Sequence, residues 1–223
     1  MQIASPNKRL RLLDIGCGTG NQLVANLPQA PDGCLVGVDR YYGMLQHARP
    51  KSEAVRWIQA DGAGLPFHDA TFGFITNQYS FHHVADKPSM LREVFRVLER
   101  SGWFVLTNLC PTEMLDWAFY GYFPAARDSD LQDFLPPDDI RSIMEQTGFQ
   151  RISVNVEHFR YETTLKDFTA GVRRRDICSQ LMTISDADYQ NGLENVDREV
   201  AAKGEGAILS VHGCLVKMVG IKP

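Results

Sequence analysis

The stretch LLDIGCGTGN, residues 12–21, decides the fold. It joins a short apolar run to an aspartate and to three glycines at alternate positions. Such an order is typical of a buried parallel strand that turns tightly into a helix, with backbone N–H groups facing a ligand. The stretch therefore predicts an α/β fold with a ligand-binding loop at the carboxyl end of its first strand.

Strand and helix patterns alternate along the rest of the chain, which predicts a parallel sheet with helices on both faces. Asp86 is expected to cap the helix after the fourth strand, with Pro88 in its first turn and Gly102 at its end. The predicted strands are RLRLLDI, GCLVGVD, AVRWIQAD, TFGFITNQ, WFVLTNL, FQRISVNVEHF and AILSVHGCLVKMVGI.

Two long segments, residues 110–135 and 160–205, interrupt this alternation. Connections of that length in a compact domain are usually lids, binding elements or disordered linkers. Apolar residues in the second segment recur at helical spacing. We therefore expect one domain over residues 1–223, with two helical lid or substrate-binding insertions inside it.

Composition excludes several classes of partner. The chain has 223 residues and a net charge of -4, which argues against nucleic-acid binding through broad phosphate attraction. Its five cysteines are scattered without metal-ligand spacing, which predicts a cytoplasmic protein with no metal site. No apolar run approaches the roughly 20 residues that span a bilayer, and the opening MQIASPNKRL is too polar for a signal peptide.

Asp14 selects among the ligands that a glycine loop could bind. The dinucleotide fingerprint G-x-G-x-x-G fits Gly16 and Gly18, but Asn21 occupies its third glycine position. A carboxylate that faces a pyrophosphate sets like charges against each other, which is unfavourable in a partly dry crevice. S-adenosylmethionine carries an ammonium and a sulfonium and no phosphate, so Asp14 favours that cofactor.

Two further acids follow the next strands in the positions that this cofactor needs. Asp39 ends the second strand, where a carboxylate accepts hydrogen bonds from both hydroxyls of a ribose. Asp61 ends the third strand, where it could accept from an adenine amino group beside the Gly62–Ala63 backbone. Any one of these acids could simply cap a loop. Three of them at successive strand ends predict a binding crevice.

The motifs LLDIGCGTG, GVDRYYGML, QADGAGLPFHDATF and YSFHHVADKPSMLREVFRVLERSGWFVLTN cover roughly residues 10 to 110. In these motifs the chain resembles the class I S-adenosylmethionine-dependent methyltransferases, of the type that includes quinone-biosynthesis enzymes. The resemblance implies a Rossmann-like, doubly wound seven-stranded sheet of order 3-2-1-4-5-7-6 with strand 7 antiparallel. It also implies cofactor contacts at Asp14, Gly16, Gly18, Gly20, Asp39, Arg40, Asp61, Gly62, Ala63 and Asn77.

The implied activity is methyl transfer to an oxygen, nitrogen or carbon of a small organic molecule, including a role in secondary metabolism. S-adenosyl-L-homocysteine is the implied product. Such proteins usually carry a covering helix before the first strand, whereas about nine residues precede it here. The insertions or a partner subunit are then expected to supply the cover, which leaves the oligomeric state open.

Residues that could handle the substrate follow strands four and five. His82 and His83 are candidate catalytic bases, with a helix entry as the structural alternative. Tyr79 is a candidate for the pocket wall. Aromatic residues after strand five either form the insertion's own core or face the substrate, and the arginines at 173–175 either face solvent or bind an acid. The candidate substrate-binding residues are Tyr79, Trp117, Tyr120, Tyr122 and Arg173.

Two alternatives remain beside the methyltransferase interpretation. One is a cofactor-binding protein of this fold that transfers no methyl group, either a rearrangement catalyst or a binding module. The other is an NAD(P)-dependent oxidoreductase, which Asp14 and the residue at position 21 oppose.

Overall fold

The computed structural model describes residues 10–30, 32–114 and 116–223. The expectations about a signal peptide and a covering helix concern residues outside these ranges. The strands are β1 (Arg11–Ile15), β2 (Cys34–Asp39), β3 (Val55–Gln59), β4 (Phe72–Gln78), β5 (Leu98–Leu109), β6 (Gln150–Thr164) and β7 (Ile208–Ile221). The helices are α1 (Asn21–Asn26), α2 (Tyr42–Ala48), α3 (Lys87–Val97), α4 (Ala118–Tyr122), α5 (Pro124–Asp133), α6 (Pro137–Thr147), α7 (Leu165–Val172), α8 (Ser179–Thr183) and α9 (Asp186–Lys203).

The strands form one seven-stranded sheet of order β3-β2-β1-β4-β5-β7-β6, which confirms the implied topology. Strands β1 to β5 pair in parallel. Strand β7 runs antiparallel to β5, because Lys222 donates its N–H to Gly102 O while Cys110 donates its N–H to Cys214 O. As the residue number rises along β5, that of its β7 partner falls.

The described chain divides into two compact units. The first contains the described residues up to Asn108 together with Pro137–Asn155 and Val216–Pro223. The second contains Leu109–Pro136 and Val156–Leu215, less residue 115. Both predicted insertions are indeed mainly helical, although β6 continues to Thr164 before the helices of the second insertion begin. Among the described residues, no helix is both long and apolar enough to cross a membrane.

The first unit contains two groups of buried apolar residues. Leu12, Leu35 and Val55 on the strands pack in one cluster with Leu23 of α1 and Leu45 of α2. Removing such side chains from water is the main favourable term in folding. Helices α3 and α6 pack together, and their fully buried residues include Met90, Leu91, Val94 and Met144.

Helix α3 begins as the sequence predicts and ends earlier. Asp86 Oδ1 accepts a hydrogen bond from Ser89 N–H at 2.9 Å, with Pro88 in the first turn. The prediction that the helix reaches Gly102 is wrong, because Leu98 already pairs with Phe72 of β4. Tertiary pairing with the sheet therefore overrides the helical periodicity of this segment.

The second unit is held together by polar contacts between its helices. The Tyr120 hydroxyl of α4 donates to Asp130 Oδ2 of α5 at 2.7 Å, and both residues are buried. The Tyr189 hydroxyl of α9 donates to Val172 O of α7 at 2.9 Å. Gly192 of α9 leaves room for an aromatic ring, because a side-chain carbon there would lie 2.1 Å from the ring of Phe123.

Lys222 anchors the carboxyl-terminal end of α3. Its ammonium donates to Phe95 O at 2.7 Å and to Leu98 O at 2.8 Å, which satisfies carbonyls that the helix itself leaves open. We expect Lys222→Met to lower the free energy of unfolding by about 1–2 kcal/mol, because these carbonyls lose a charged donor. Chemical denaturation measures the change. The exposed Lys217 lies on β7, which ends just before Lys222, so an equal loss in Lys217→Met would contradict the anchoring role.

Candidate functional site

The glycine loop between β1 and α1 borders an open pocket of about 310 Å³ in the first unit. All three glycines of the loop have left-handed backbone conformations, with φ between +54° and +78°. Asp14, Gly16 and Gly18 line the pocket together with residues of α1 and of the end of β4 and the residue after it. These are Asn21, Gln22, Gln78 and Tyr79; Cys17 and Thr19 complete the lining.

Gly16 allows the loop to approach the end of β4 closely. A side-chain carbon at Gly16 would lie 2.1 Å from Ser80 Oγ, so no other residue fits there without movement. Asn77 Nδ2 fixes this approach by donating to Ile15 O at 2.8 Å and to Ser80 Oγ at 2.6 Å. The buried Asn77 Oδ1 accepts no hydrogen bond from the described residues.

Asp14 is a buried carboxylate at the edge of this pocket, with 3% of its surface exposed. Burial raises the pKa of Asp14 to about 6, and the charge of Asp39 acts in the same direction. A hydrogen bond from Thr76 Oγ1, at 2.6 Å, opposes the rise in pKa. An uncompensated carboxylate in such a place favours a cationic ligand.

Asp39 ends β2, as the sequence predicts, and is also buried. Its Oδ2 accepts from Gly18 N–H at 2.8 Å, and its Oδ1 accepts from Tyr41 N–H at 2.9 Å. Asp39 thus connects the glycine loop to the start of α2. Each carboxylate oxygen can accept a further hydrogen bond from a ligand.

Asp61 lies in a turn after β3 and does not end the strand, because β3 stops at Gln59. Asp61 Oδ1 accepts from Ala63 N–H at 2.9 Å, which makes the turn. Arg40 lies beside it, with Nε 3.8 Å from Asp61 Oδ2. Gly62 packs close to β1, since a side-chain carbon there would lie 3.1 Å from Ile15 Cγ2.

Two residues that the sequence did not single out support the glycine loop. Lys51 Nζ donates to Thr19 O at 2.8 Å and to Asn21 Oδ1 at 2.5 Å. The ring of Trp57 lies against Gly20, where a side-chain carbon would be 2.4 Å from the ring. Both partners lie more than 30 residues from the loop in sequence, so no local pattern indicates them.

Tyr79 lies at the pocket in an unusual backbone conformation. Its φ is +50°, which is uncommon for a residue other than glycine and is often found at functional sites. Its N–H donates to Thr107 O of β5 at 2.9 Å, and its side chain is 49% exposed. The fold thus holds the exposed ring of Tyr79 at the wall of the pocket beside the glycine loop.

The two histidines after β4 have different environments. His82 is buried, and its hydrogen bond with Asn108 opposes a fall in its pKa. Burial is the main cause that lowers the pKa of His82 to about 3, and the charge of the nearby His83 acts in the same direction. The imidazole of His82 is therefore neutral at physiological pH. His83 is exposed, and the two ring centres lie 3.9 Å apart.

The remaining four candidates lie in the second unit, where each contacts a neighbouring side chain. Tyr120 binds Asp130, Tyr122 packs on Phe168 with its ring centre 5.1 Å away, and Arg173 Nη2 lies 2.6 Å from Asp197 Oδ1. Trp117 stacks on Phe119 with the ring centres 4.7 Å apart. Their predicted contact with a substrate stays a prediction.

The residues around the pocket fit S-adenosylmethionine better than a dinucleotide. Asp14 offers the ligand a buried carboxylate, and Asp39 offers acceptors beside the open face of Gly18, which has no heavy atom within 4 Å of a hypothetical side chain. A pyrophosphate would lie against the charge of Asp14. Within the described ranges, no group of three or more histidine, cysteine, aspartate or glutamate side chains could hold a metal ion.

Comparison with known proteins agrees with this geometry. The methyltransferase-domain family model matches residues 13–106. A demethylmenaquinone methyltransferase of Thermus thermophilus is 37% identical over 162 residues, which cover 62% of this chain and 74% of the relative. The enzyme of the same name from Thermotoga maritima is 30% identical over 160 residues, or 63% of this chain and 70% of the relative.

A similar fold occurs in a solved structure. The YcgJ protein of Bacillus subtilis superposes with a TM-score of 0.65 at 22% identity, covering 96% of this chain and 92% of that one. The family match, the two relatives and the cofactor-type pocket agree with one another. The chain therefore belongs to the class I S-adenosylmethionine-dependent methyltransferases, in the group that includes the quinone-biosynthesis enzymes.

Proposed function

We propose that the protein transfers the methyl group of S-adenosylmethionine to an oxygen, nitrogen or carbon of a small organic molecule in secondary metabolism. One observation carries the cofactor part of this proposal: the Asp14 carboxylate is buried at the pocket edge, where it favours a cation. Two relatives are named as demethylmenaquinone methyltransferases, and a quinone precursor of this kind is a small organic acceptor.

The bound cofactor supplies a methyl group that its sulfonium already activates. In our proposal Asp14 binds the ammonium of the cofactor, and Asp39 accepts hydrogen bonds from the ribose hydroxyls. Asp61 and the Gly62–Ala63 backbone bind the adenine, with Arg40 beside them. The protein then has only to align the acceptor and exclude water, because no further activation of the methyl group is needed.

Cofactor contacts at the glycines and at Asn77 follow from the same geometry. The left-handed glycines bring the loop backbone to the pocket without side chains between it and the ligand. Asn77 Oδ1 is a buried acceptor close to that loop, and a donor on the cofactor would satisfy it. Lys51 and Trp57 act as positioning residues, because they contact the loop but do not line the pocket.

We propose that exposed aromatic side chains bind the methyl acceptor. Tyr79 offers an exposed ring at the pocket, and Trp117 offers a partly exposed one in the second unit. The hydroxyl of Tyr120 and the guanidinium of Arg173 already have partners, so we propose that these two shape the second unit and that Tyr122 does so through Phe168. The insertions are proposed to close over the acceptor.

We infer that His82 and His83, which follow β4, have different roles, one structural and one catalytic. His82 is neutral and bonded to Asn108, so it orients the short 3-10 turn Phe81–His83. The exposed His83 is the base that removes a proton when the acceptor is a hydroxyl or an ammonium group. An acceptor that is already a carbanion or a carboxylate would need alignment alone.

The test of the proposal is a transfer assay with S-adenosylmethionine labelled in its methyl group. The label should move to small molecules of a cell extract, with a mass increase of one methyl group, and not to RNA or protein. Label in RNA or protein would contradict the acceptor class. Tight cofactor binding without any transfer would instead favour a protein that uses the fold without methylating.

Asp39→Ala should weaken binding of S-adenosylhomocysteine by about 1–3 kcal/mol, because the ribose hydroxyls and Gly18 N–H lose a charged acceptor. Isothermal titration calorimetry measures the affinity. Glu53 is an exposed acid from the same part of the chain, and Glu53→Ala should bind normally. Equal affinity in wild type and Asp39→Ala would remove Asp39 from the site.

Affinity for S-adenosylmethionine should fall about tenfold between pH 7 and pH 5, because Asp14 takes up a proton near pH 6 and then no longer attracts a cation. The sign follows from the raised pKa, since Asp14 takes up its proton at a higher pH in the free protein than in the complex with a cation. Asp14→Asn should bind more weakly with little dependence on pH. A steep dependence that persists in Asp14→Asn would assign the effect to another group.

His83→Ala should lower turnover of a hydroxyl or ammonium acceptor by about 10²-fold or more, which is the usual contribution of a general base, and leave cofactor affinity unchanged. Steady-state kinetics and calorimetry separate the two effects. His68→Ala, at another exposed histidine, is the matched control. Near-native turnover in His83→Ala would eliminate the base and leave a mechanism by positioning.

A further inference from the structure

A second pocket lies within the second unit and is separate from the residues assigned above. Its volume is about 230 Å³. Its walls come from the segment after β5, from β6 and from β7. The wall residues that carry the argument are Glu113, Asp116, His158, Phe159, Arg160 and His212.

Asp116 and His212 form a pair at this wall. Asp116 Oδ2 lies 3.3 Å from His212 Nδ1, and Ser210 Oγ lies 3.5 Å from His212 Nε2. A proton on Nδ1 can be donated to the carboxylate, and this hydrogen bond orients the imidazole. The pair therefore contributes hydrogen-bonding groups and the negative charge of Asp116 to the pocket.

Two further charges of opposite sign, Glu113 and Arg160, lie on the same walls. Within the described residues, neither Glu113 nor Arg160 forms an ion pair. Arg160 Nη2 lies 3.5 Å from His212 Nδ1, at the outer limit of a hydrogen bond. Charged groups that share a concave surface without pairing attract a ligand that carries the complementary charges.

Phe159 gives the pocket an apolar wall beside these charges. Its ring occupies the space where a side chain at Gly213 would lie, with a closest approach of 2.1 Å. The ring remains 36% exposed. An aromatic face near a carboxylate is a suitable surface for an ammonium group, and it also contacts the apolar body of a ligand.

We propose that this pocket binds a small zwitterion that carries one carboxylate and one ammonium group, as an amino acid does. Arg160 binds the carboxylate of the ligand, and Glu113 with the ring of Phe159 binds its ammonium. A simple anion would meet the negative charges of Glu113 and Asp116, and a simple cation would meet Arg160. The proposal does not rest on the proposed function, because every residue it uses lies in the second unit.

The test is calorimetric titration of the full chain with L-alanine, L-phenylalanine and two analogues that lack one charge. The analogues are 3-phenylpropanoate, which has no ammonium, and 2-phenylethylamine, which has no carboxylate. L-Phenylalanine should bind about tenfold more tightly than either analogue, since one charge-assisted hydrogen bond distinguishes each pair. No binding of either amino acid up to about 10 mM, or equal binding of all three phenyl compounds, would overturn the proposal.

Variants then locate the site. Arg160→Gln should lower the affinity for L-phenylalanine about tenfold and leave 2-phenylethylamine unaffected, whereas Glu113→Gln should affect the amine and leave 3-phenylpropanoate unaffected. Arg174→Gln and Glu194→Gln change exposed charges elsewhere in the same unit and should bind as the wild type does. S-adenosylhomocysteine affinity, measured in every variant, reports the first unit independently. Wild-type affinity for L-phenylalanine in both pocket variants would place the ligand elsewhere and refute the assignment.

Discussion

The close approach between the glycine loop and the end of β4 determines the shape of the pocket beside that loop. The backbone at Gly16 lies so near Ser80 that a methyl group would overlap its hydroxyl. Asn77 and Ser80 both bond Ile15 O, and these two hydrogen bonds fix the loop to the strand beside it. The pocket exists because the turn is made of glycines, which can adopt left-handed conformations with no side chain in the way.

That geometry has an electrostatic consequence. Once β1 and β4 are paired, the Asp14 side chain has only the Thr76 hydroxyl as a partner within the described hydrogen bonds, and its carboxylate is nearly out of water. Burial of a charge without a countercharge is unfavourable for the folded protein, as the raised pKa of Asp14 indicates. A bound cation removes this cost, so part of the binding free energy comes from a group that destabilises the free protein.

Sequence patterns predicted the fold well where strand ends and glycines determine the structure. The order of the seven strands and the positions of Asp14, Asp39 and Asn77 follow from the motifs of the first 110 residues and from the family resemblance. The helical end of α3 was misplaced because Leu98 satisfies both a helical period and a strand pairing, and only the partner strand decides between them.

Other residues of the two pockets could not be predicted from nearby sequence, because the residues they contact are distant in the chain. Thr76 contacts Asp14 across 62 positions, and Arg160 contacts His212 across 52. No periodicity or motif links residues at those separations. For the same reason, the aromatic residues after β5 could not be divided in advance into those that support the second unit and those that face outward.

The two units use buried and unpaired charge differently. In the second unit the Asp130 carboxylate is also buried, with its pKa raised to about 6, but a tyrosine hydroxyl and Gln180 bond it, so the group is part of the unit's interior. Glu113 and Arg160, in contrast, lie on pocket walls without ion-pair partners among the described residues. A charge that serves stability is normally hydrogen-bonded inside the fold, whereas a charge that serves binding has to keep acceptors or donors available. By that criterion Asp130 is structural, whereas our proposals assign Asp14, Glu113 and Arg160 to ligands.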